Sequence, residues 1–155
     1  MDRKSSIISI DFFQKTIYKM FKIIKSFIPK KVYSVNRQIG IITKKIIRIL
    51  QLNYDKEQPI FIGDANIKHM QQQHPEDYKK YGTKIKEIIN NPTYLARNEK
   101  KKSIEFIKKY KNEKDEYVLI AVRVSTNNVH FARTMYIMSD EKVKKYFDHN
   151  YFYSF

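Results

Sequence analysis

The sequence predicts an α+β fold: N-terminal helices, then a four-stranded antiparallel sheet, then a short C-terminal helix. Three observations predict it. Apolar residues recur at helical spacing through the first half of the chain. In the second half, four runs rich in β-branched and aromatic residues alternate with loops of Lys, Asn, Asp and Glu. A serine followed by two acids then opens a last amphipathic segment.

Residues 9–28 place Phe13, Ile17, Met20, Phe21, Ile24 and Ile28 on one helical face, with Lys15, Lys19, Lys22 and Lys25 elsewhere and Pro29 as the stop. A second helix is expected over 37–52, using Ile39, Ile42, Ile46, Ile49 and Leu50. Ile60–Gly63 reads as a short strand or extended entry, and Asp64 as the cap of a helix over about 65–74. Pro75-Glu76-Asp77 opens the next helix, with proline in the first turn and acids at its positive end. That helix buries Tyr78, Tyr81, Ile85, Ile88 and Ile89, is weakened at Gly82, and stops at Asn90-Asn91-Pro92. The four strands are Thr93–Arg97, Ser103–Tyr110, Tyr117–Ser125 and Val129–Met138, with Thr126-Asn127-Asn128 as a hairpin turn. Ser139 caps a last helix over 140–148.

Charge divides the chain. The first 55 residues hold 12 basic and 3 acidic residues, which marks 1–55 as a basic helical region ahead of a domain formed by 56–155. As an interface, 1–55 suits a nucleic-acid or membrane arm; as plain structure, its apolar stripe is core and its lysines are solvated. The whole chain carries +15 over 155 residues, and an AT-rich coding bias that inflates lysine does not explain so few acids. Such a field attracts polyanions: nucleic acid first, an anionic membrane surface second, an acidic protein partner third.

Composition also excludes. Without cysteine there is no disulfide, thiolate nucleophile or Cys-ligated metal. The opening MDRKSSIISIDFF lacks a signal-like apolar run, and Ile39–Leu50 carries Lys44, Lys45 and Arg48, so no integral membrane association and a cytoplasmic location are expected. No histidine pair has metal-ligand spacing, and neither a Gly-rich phosphate loop nor a close carboxylate pair is present. No cofactor is implied.

Strand parity gives the first view of a site. In the last strand Val129, Phe131, Met135 and Ile137 share the core face, and His130, Ala132, Thr134, Tyr136 and Met138 share the other. In the strand before it Val118, Ile120, Val122 and Val124 form the apolar face, with Arg123 pointing away. A face of Arg, His, Thr and Tyr suits RNA, although antiparallel sheets routinely turn a polar face to water. Arg133 breaks the parity, so either a bulge re-aims it or it is paired at the edge of the core. Among the other histidines, His69 on the short helix suits a general base, His74 beside Pro75 reads as a helix boundary, and His149 as surface.

The stretch from about 60 to 147 resembles the phage-type branch of the barnase/EndoU/colicin/RelE nuclease superfamily, small metal-independent ribonucleases. Ile67-Lys68-His69-Met70, the helix-then-Asn-Pro run Ile85–Pro92, and Arg133-Thr134-Met135-Tyr136 carry the resemblance. In motif it is closest to colicin D-like anticodon nucleases: Lys68-His69 is followed by a hydroxyl residue two before an aromatic, Thr134-x-Tyr136. It departs from that pattern at Asn66, where the family has lysine, and in carrying Thr for Ser and Tyr for Trp.

The resemblance implies a toxin-like endoribonuclease of phage or mobile-element origin that cleaves RNA, with tRNA as the RNA class, by 2′-hydroxyl attack to a 2′,3′-cyclic phosphate. His69 would be base or acid; Lys68, with Arg133 or Lys102, would stabilise the phosphorane; Thr134 would bind a phosphate oxygen; Tyr136 would stack or orient a base. Arg97, Lys102, Arg123 and His130 are the candidate substrate-binding residues, and an acidic immunity or antitoxin protein is the implied partner. The alternative is a non-catalytic basic nucleic-acid-binding protein, which gives His69 no role.

Overall fold

The computed structural model describes residue 20 and residues 35–155, and Ser34–Phe155 form one compact unit. The helix expected over 9–28 falls outside the described residues, apart from Met20. Within the unit the order is β1 (Arg37–Ile42), α1 (Lys44–Ile49), β2 (Gln58–Ile62), α2 (Asp64–Gln73), α3 (Pro75–Tyr81), a 3₁₀ turn (Gly82–Lys84) and α4 (Ile85–Asn90). Then come β3 (Tyr94–Asn98), β4 (Ser103–Lys111), β5 (Asp115–Val124), β6 (His130–Ile137), α5 (Asp140–Asp148) and β7 (Tyr153–Ser154).

This corrects the expected architecture. In place of N-terminal helices followed by a four-stranded antiparallel sheet, a seven-stranded mixed sheet runs β1-β2-β6-β5-β4-β3-β7. The expected strands do form β3 to β6, and α5 starts where Ser139 caps it by accepting from Lys142 N. The outer members change the fold. β1 and β2 are antiparallel to each other, β2 lies parallel to β6, and β7 is added beside β3.

The main error lies in the helix expected over 37–52. Residues 37–42 are strand, and only Lys44–Ile49 is helical, begun by Thr43, whose hydroxyl accepts from Ile46 N. A bulge explains the misleading spacing. Register jumps between Gln38 and Gly40, so Ile39 is an extra residue, and Ile39 and Ile42 both reach the core three positions apart. The Ile39 carbonyl accepts from Asn90 Nδ2 at 2.7 Å, which satisfies the displaced backbone. A second correction is small: Gly63, not Asp64, is the cap of α2, while Asp64 pairs with Arg37 at 3.0 Å. The long helix from Pro75 does break at Gly82.

Each sheet face has its own core. On one, Ile60, Leu95, Phe106, Ile120 and Met135 meet Ile46, Met70, Ile85 and Ile89 from the N-terminal helices. On the other, Ala96, Ile107, Leu119 and Ala121 meet Tyr146 of α5. Where β1 crosses α4, a β-carbon on Gly40 would lie 2.4 Å from Ile89 Cγ2, and Ile89 is itself buried. Gly40→Ala is therefore expected to cost about 1–3 kcal/mol, the usual overpacking range, measured as a lower urea midpoint. An unchanged midpoint would mean that β1 and α4 part without cost.

Candidate active site

The bulge foreseen as one option at Arg133 is present. Thr134 faces Ala121 and Ala132 faces Val122, so register jumps over Arg133, whose guanidinium lies 5.3 Å from the Phe131 ring. The extra residue inverts the parity of β6. Thr134 and Tyr136 stay on the face away from the N-terminal helices, and Ala132 joins the opposite core with Met135 and Ile137.

His130 moves with Ala132, which corrects its placement on the polar platform. It is 3% exposed, its Nε2 is 2.9 Å from the Tyr54 hydroxyl, and burial holds its imidazole below the usual value. Burial raises the Tyr54 phenol, with Arg97 opposing. His130, Arg97 and Lys102 do come together, lining a pocket of about 470 Å³ closed by Ile104, Val122 and Val124.

Arg123 belongs to the other face. Cross-strand partners share a face, so Asn98, Ser103, Arg123 and Phe131 form one row, Ala96, Glu105, Ala121 and Thr134 the next, and Tyr94, Ile107, Leu119 and Tyr136 a third. Alanines flank Glu105, so this row forms a low floor, buried beneath Tyr146 of α5. Glu105 is 3% exposed and accepts from Tyr146 OH at 2.7 Å and Asn98 Nδ2 at 3.2 Å. Among the described residues, Ser103 Oγ and Arg123 Nε are buried polar atoms with no hydrogen-bond partner, and they belong to paired residues in the first row.

Over this floor α5 brings Lys142, whose ammonium donates to the Tyr136 hydroxyl and lies 4.6 Å from its ring centroid. Burial pulls the Lys142 ammonium below the ordinary lysine value, with Glu105 opposing. Burial pushes the Tyr136 phenol up to about 12, helped by Glu105, so it stays protonated at neutral pH. Since the ammonium donates to its oxygen, the Tyr136 proton is free to be offered elsewhere. Burial, then hydrogen bonding to Glu105, also raises the Tyr146 phenol.

α2 and α3 pack against β6, the strand that β2 pairs with only at His130 and Phe131. Asn66 and Met70 of α2 are buried, while Lys68 and His69 are exposed. Asn66 Oδ1 accepts from Gly63 N at 3.1 Å, so the position where colicin D-like domains carry lysine here closes the helix start. His74 is the boundary residue between α2 and α3, and its ring also lies 5.2 Å from that of Tyr136. Asp77 accepts from Ile137 N at 3.0 Å and fixes α3 to the same strand.

Sequence reasoning missed Glu105, Lys142 and the contact of His74 with Tyr136. Glu105 was legible: it lies between Ile104 and Phe106, and an acid inside an otherwise apolar strand points to a buried polar site. Lys142 is four before Tyr146 and shares its helix face. The His74–Tyr136 contact crosses 62 residues and leaves no local trace.

Among the described residues, no group of three or more His, Asp or Glu side chains is placed to hold a metal ion, and no helix is long and apolar enough to cross a membrane. No curated protein and no solved structure matches the chain. The family model described as phage-Barnase-EndoU-ColicinE5/D-RelE like nuclease3 matches residues 37–145, from β1 into α5. That stretch covers most of the described unit and all three sequence motifs, and the chain belongs to this nuclease family.

Proposed function

We propose that the protein is a toxin-like endoribonuclease that cleaves tRNA by attack of a ribose 2′-hydroxyl on the adjacent phosphate. The observation that carries this reading is that one sheet face holds Thr134, Tyr136 and Arg123 with Lys142 over Tyr136, on the same strand β6 against whose other face packs the helix that bears the exposed Lys68 and His69.

His69 takes the 2′-hydroxyl proton, the O2′–P bond forms and the P–O5′ bond breaks. The leaving O5′ takes a proton from water, which the proton held by His69 later replaces, giving a 2′,3′-cyclic phosphate and a 5′-hydroxyl. Crowding charge on the phosphorane is met by cations and fixed donors: Lys68 and Arg133 at the β6 side, and Arg123, whose Nε has no internal partner. Thr134 offers a hydroxyl, and Tyr136 offers an O–H polarised by the Lys142 ammonium. The pocket lined by Arg97, Lys102 and His130 takes a neighbouring part of the strand. A charge of +15 favours capture of a polyanion and inhibition by an acidic immunity or antitoxin protein.

The test is incubation of purified protein with total tRNA in excess EDTA, beside His69→Ala, with end-group analysis. Discrete fragments bearing cyclic phosphate ends from the wild type alone are expected. Intact tRNA with salt-sensitive binding by both proteins would overturn the reading in favour of a nucleic-acid-binding module.

A further inference from the structure

The family match ends at residue 145, yet the next ten residues are the most aromatic of the chain: Tyr146, Phe147, Tyr151, Phe152, Tyr153 and Phe155. They are built into the fold. Tyr153 and Ser154 pair with β3, and Phe152 stacks on Tyr94 with centroids 4.7 Å apart. Tyr151 is held differently. It is 43% exposed, meets Tyr146 edge-on at 5.6 Å, and stacks on His149 at 5.3 Å.

Tyr151 walls a pocket of about 650 Å³ that also takes in Arg97, Lys100, Lys142, Lys145 and Tyr146. Glu99 and Glu141 are its acids, and Arg97 is paired with Glu99. Lys100 and Lys145 are exposed at its margin. Through Lys142 the pocket adjoins Tyr136, and through Tyr146 and Asn98 it adjoins Glu105. An open aromatic ring in a mainly apolar pocket rimmed by lysines is the chemistry that takes an unpaired nucleobase with its phosphate.

We infer that the C-terminal segment beyond the family-matched residues builds a nucleobase subsite, in which a single-stranded RNA base adds to the His149–Tyr151 stack and Lys100 and Lys145 hold its phosphate. The inference rests on the proposed ribonuclease reading and names where the strand next to the cleaved bond is gripped.

The experiment measures binding of a 2′-O-methyl single-stranded RNA oligonucleotide, which cannot be cleaved by 2′-hydroxyl attack, to the intact protein by fluorescence anisotropy. Tyr151→Ala is expected to weaken binding by about 5- to 150-fold, the loss of one base–aromatic stack, while Tyr151→Phe and Tyr151→Trp retain it. Lys100→Glu with Lys145→Glu, both exposed positions, is expected to weaken binding and flatten its salt dependence. Equal binding by wild type, Tyr151→Ala and the charge-reversed protein overturns the subsite, whether or not tRNA is cleaved. Binding that depends on Tyr151 from a protein that leaves tRNA intact keeps the subsite and overturns the ribonuclease reading.

Discussion

Lys142→Met is expected to lower tRNA cleavage by about 10²- to 10³-fold, the usual loss when one charged or hydrogen-bonding stabiliser of a transition state is removed. The ammonium is half-buried, donates to the Tyr136 hydroxyl and lies over its ring. Methionine keeps most of the apolar stem that packs there, so the fold should hold and the melting temperature should change little. The pH profile separates chemistry from packing. Burial disfavours the charged form, so Lys142 gives up its proton at lower pH than an ordinary lysine. Activity that needs the ammonium must then fall on the alkaline side. Lys142→Arg, which does not deprotonate, should push that alkaline limb to higher pH. A Lys142→Met protein that is folded and fully active would remove this sheet face from the reaction.

Phe106→Ala is expected to carry the largest stability loss, about 3–5 kcal/mol. Phe106 has no exposed surface, and it sits in β4 between β3 and β5, in the core shared with the N-terminal helices. A domain of this size is stable by only about 5–15 kcal/mol, so the substitution should leave a marginal protein. Urea unfolding followed by far-UV circular dichroism reads the change, with Phe106→Leu as a milder companion. A loss below about 1 kcal/mol would mean that the core on that face collapses around the gap, contrary to close packing.

The central sheet was legible because each strand of β3 to β6 carries its own alternation and is bounded by loops that name themselves. Two displaced residues account for most of what was not. Ile39 in β1 and Arg133 in β6 are bulges, and each alters the spacing from which structure is read. In β1 the bulge turned a period of two into a spacing of three and imitated a helix. In β6 it moved His130 from the polar face to the core while leaving Thr134 and Tyr136 where parity had put them. Of the site, the pairing of Lys68-His69 with Thr134-x-Tyr136 was visible only through resemblance, since a helix and a strand 65 residues apart share no local pattern. Glu105 was visible by composition, and Lys142 by its i,i+4 relation to Tyr146.

The position of β6 sets the order in which the molecule can be assembled during synthesis. It joins the β1–β2 hairpin to the β5–β4–β3 meander, and it is the last long strand to leave the ribosome. Until residue 137 has been made, the two halves have no strand in common and α2 has no edge to lie against. Lys142 follows later still. The groups proposed to act together are thus brought into one place only at the end of synthesis.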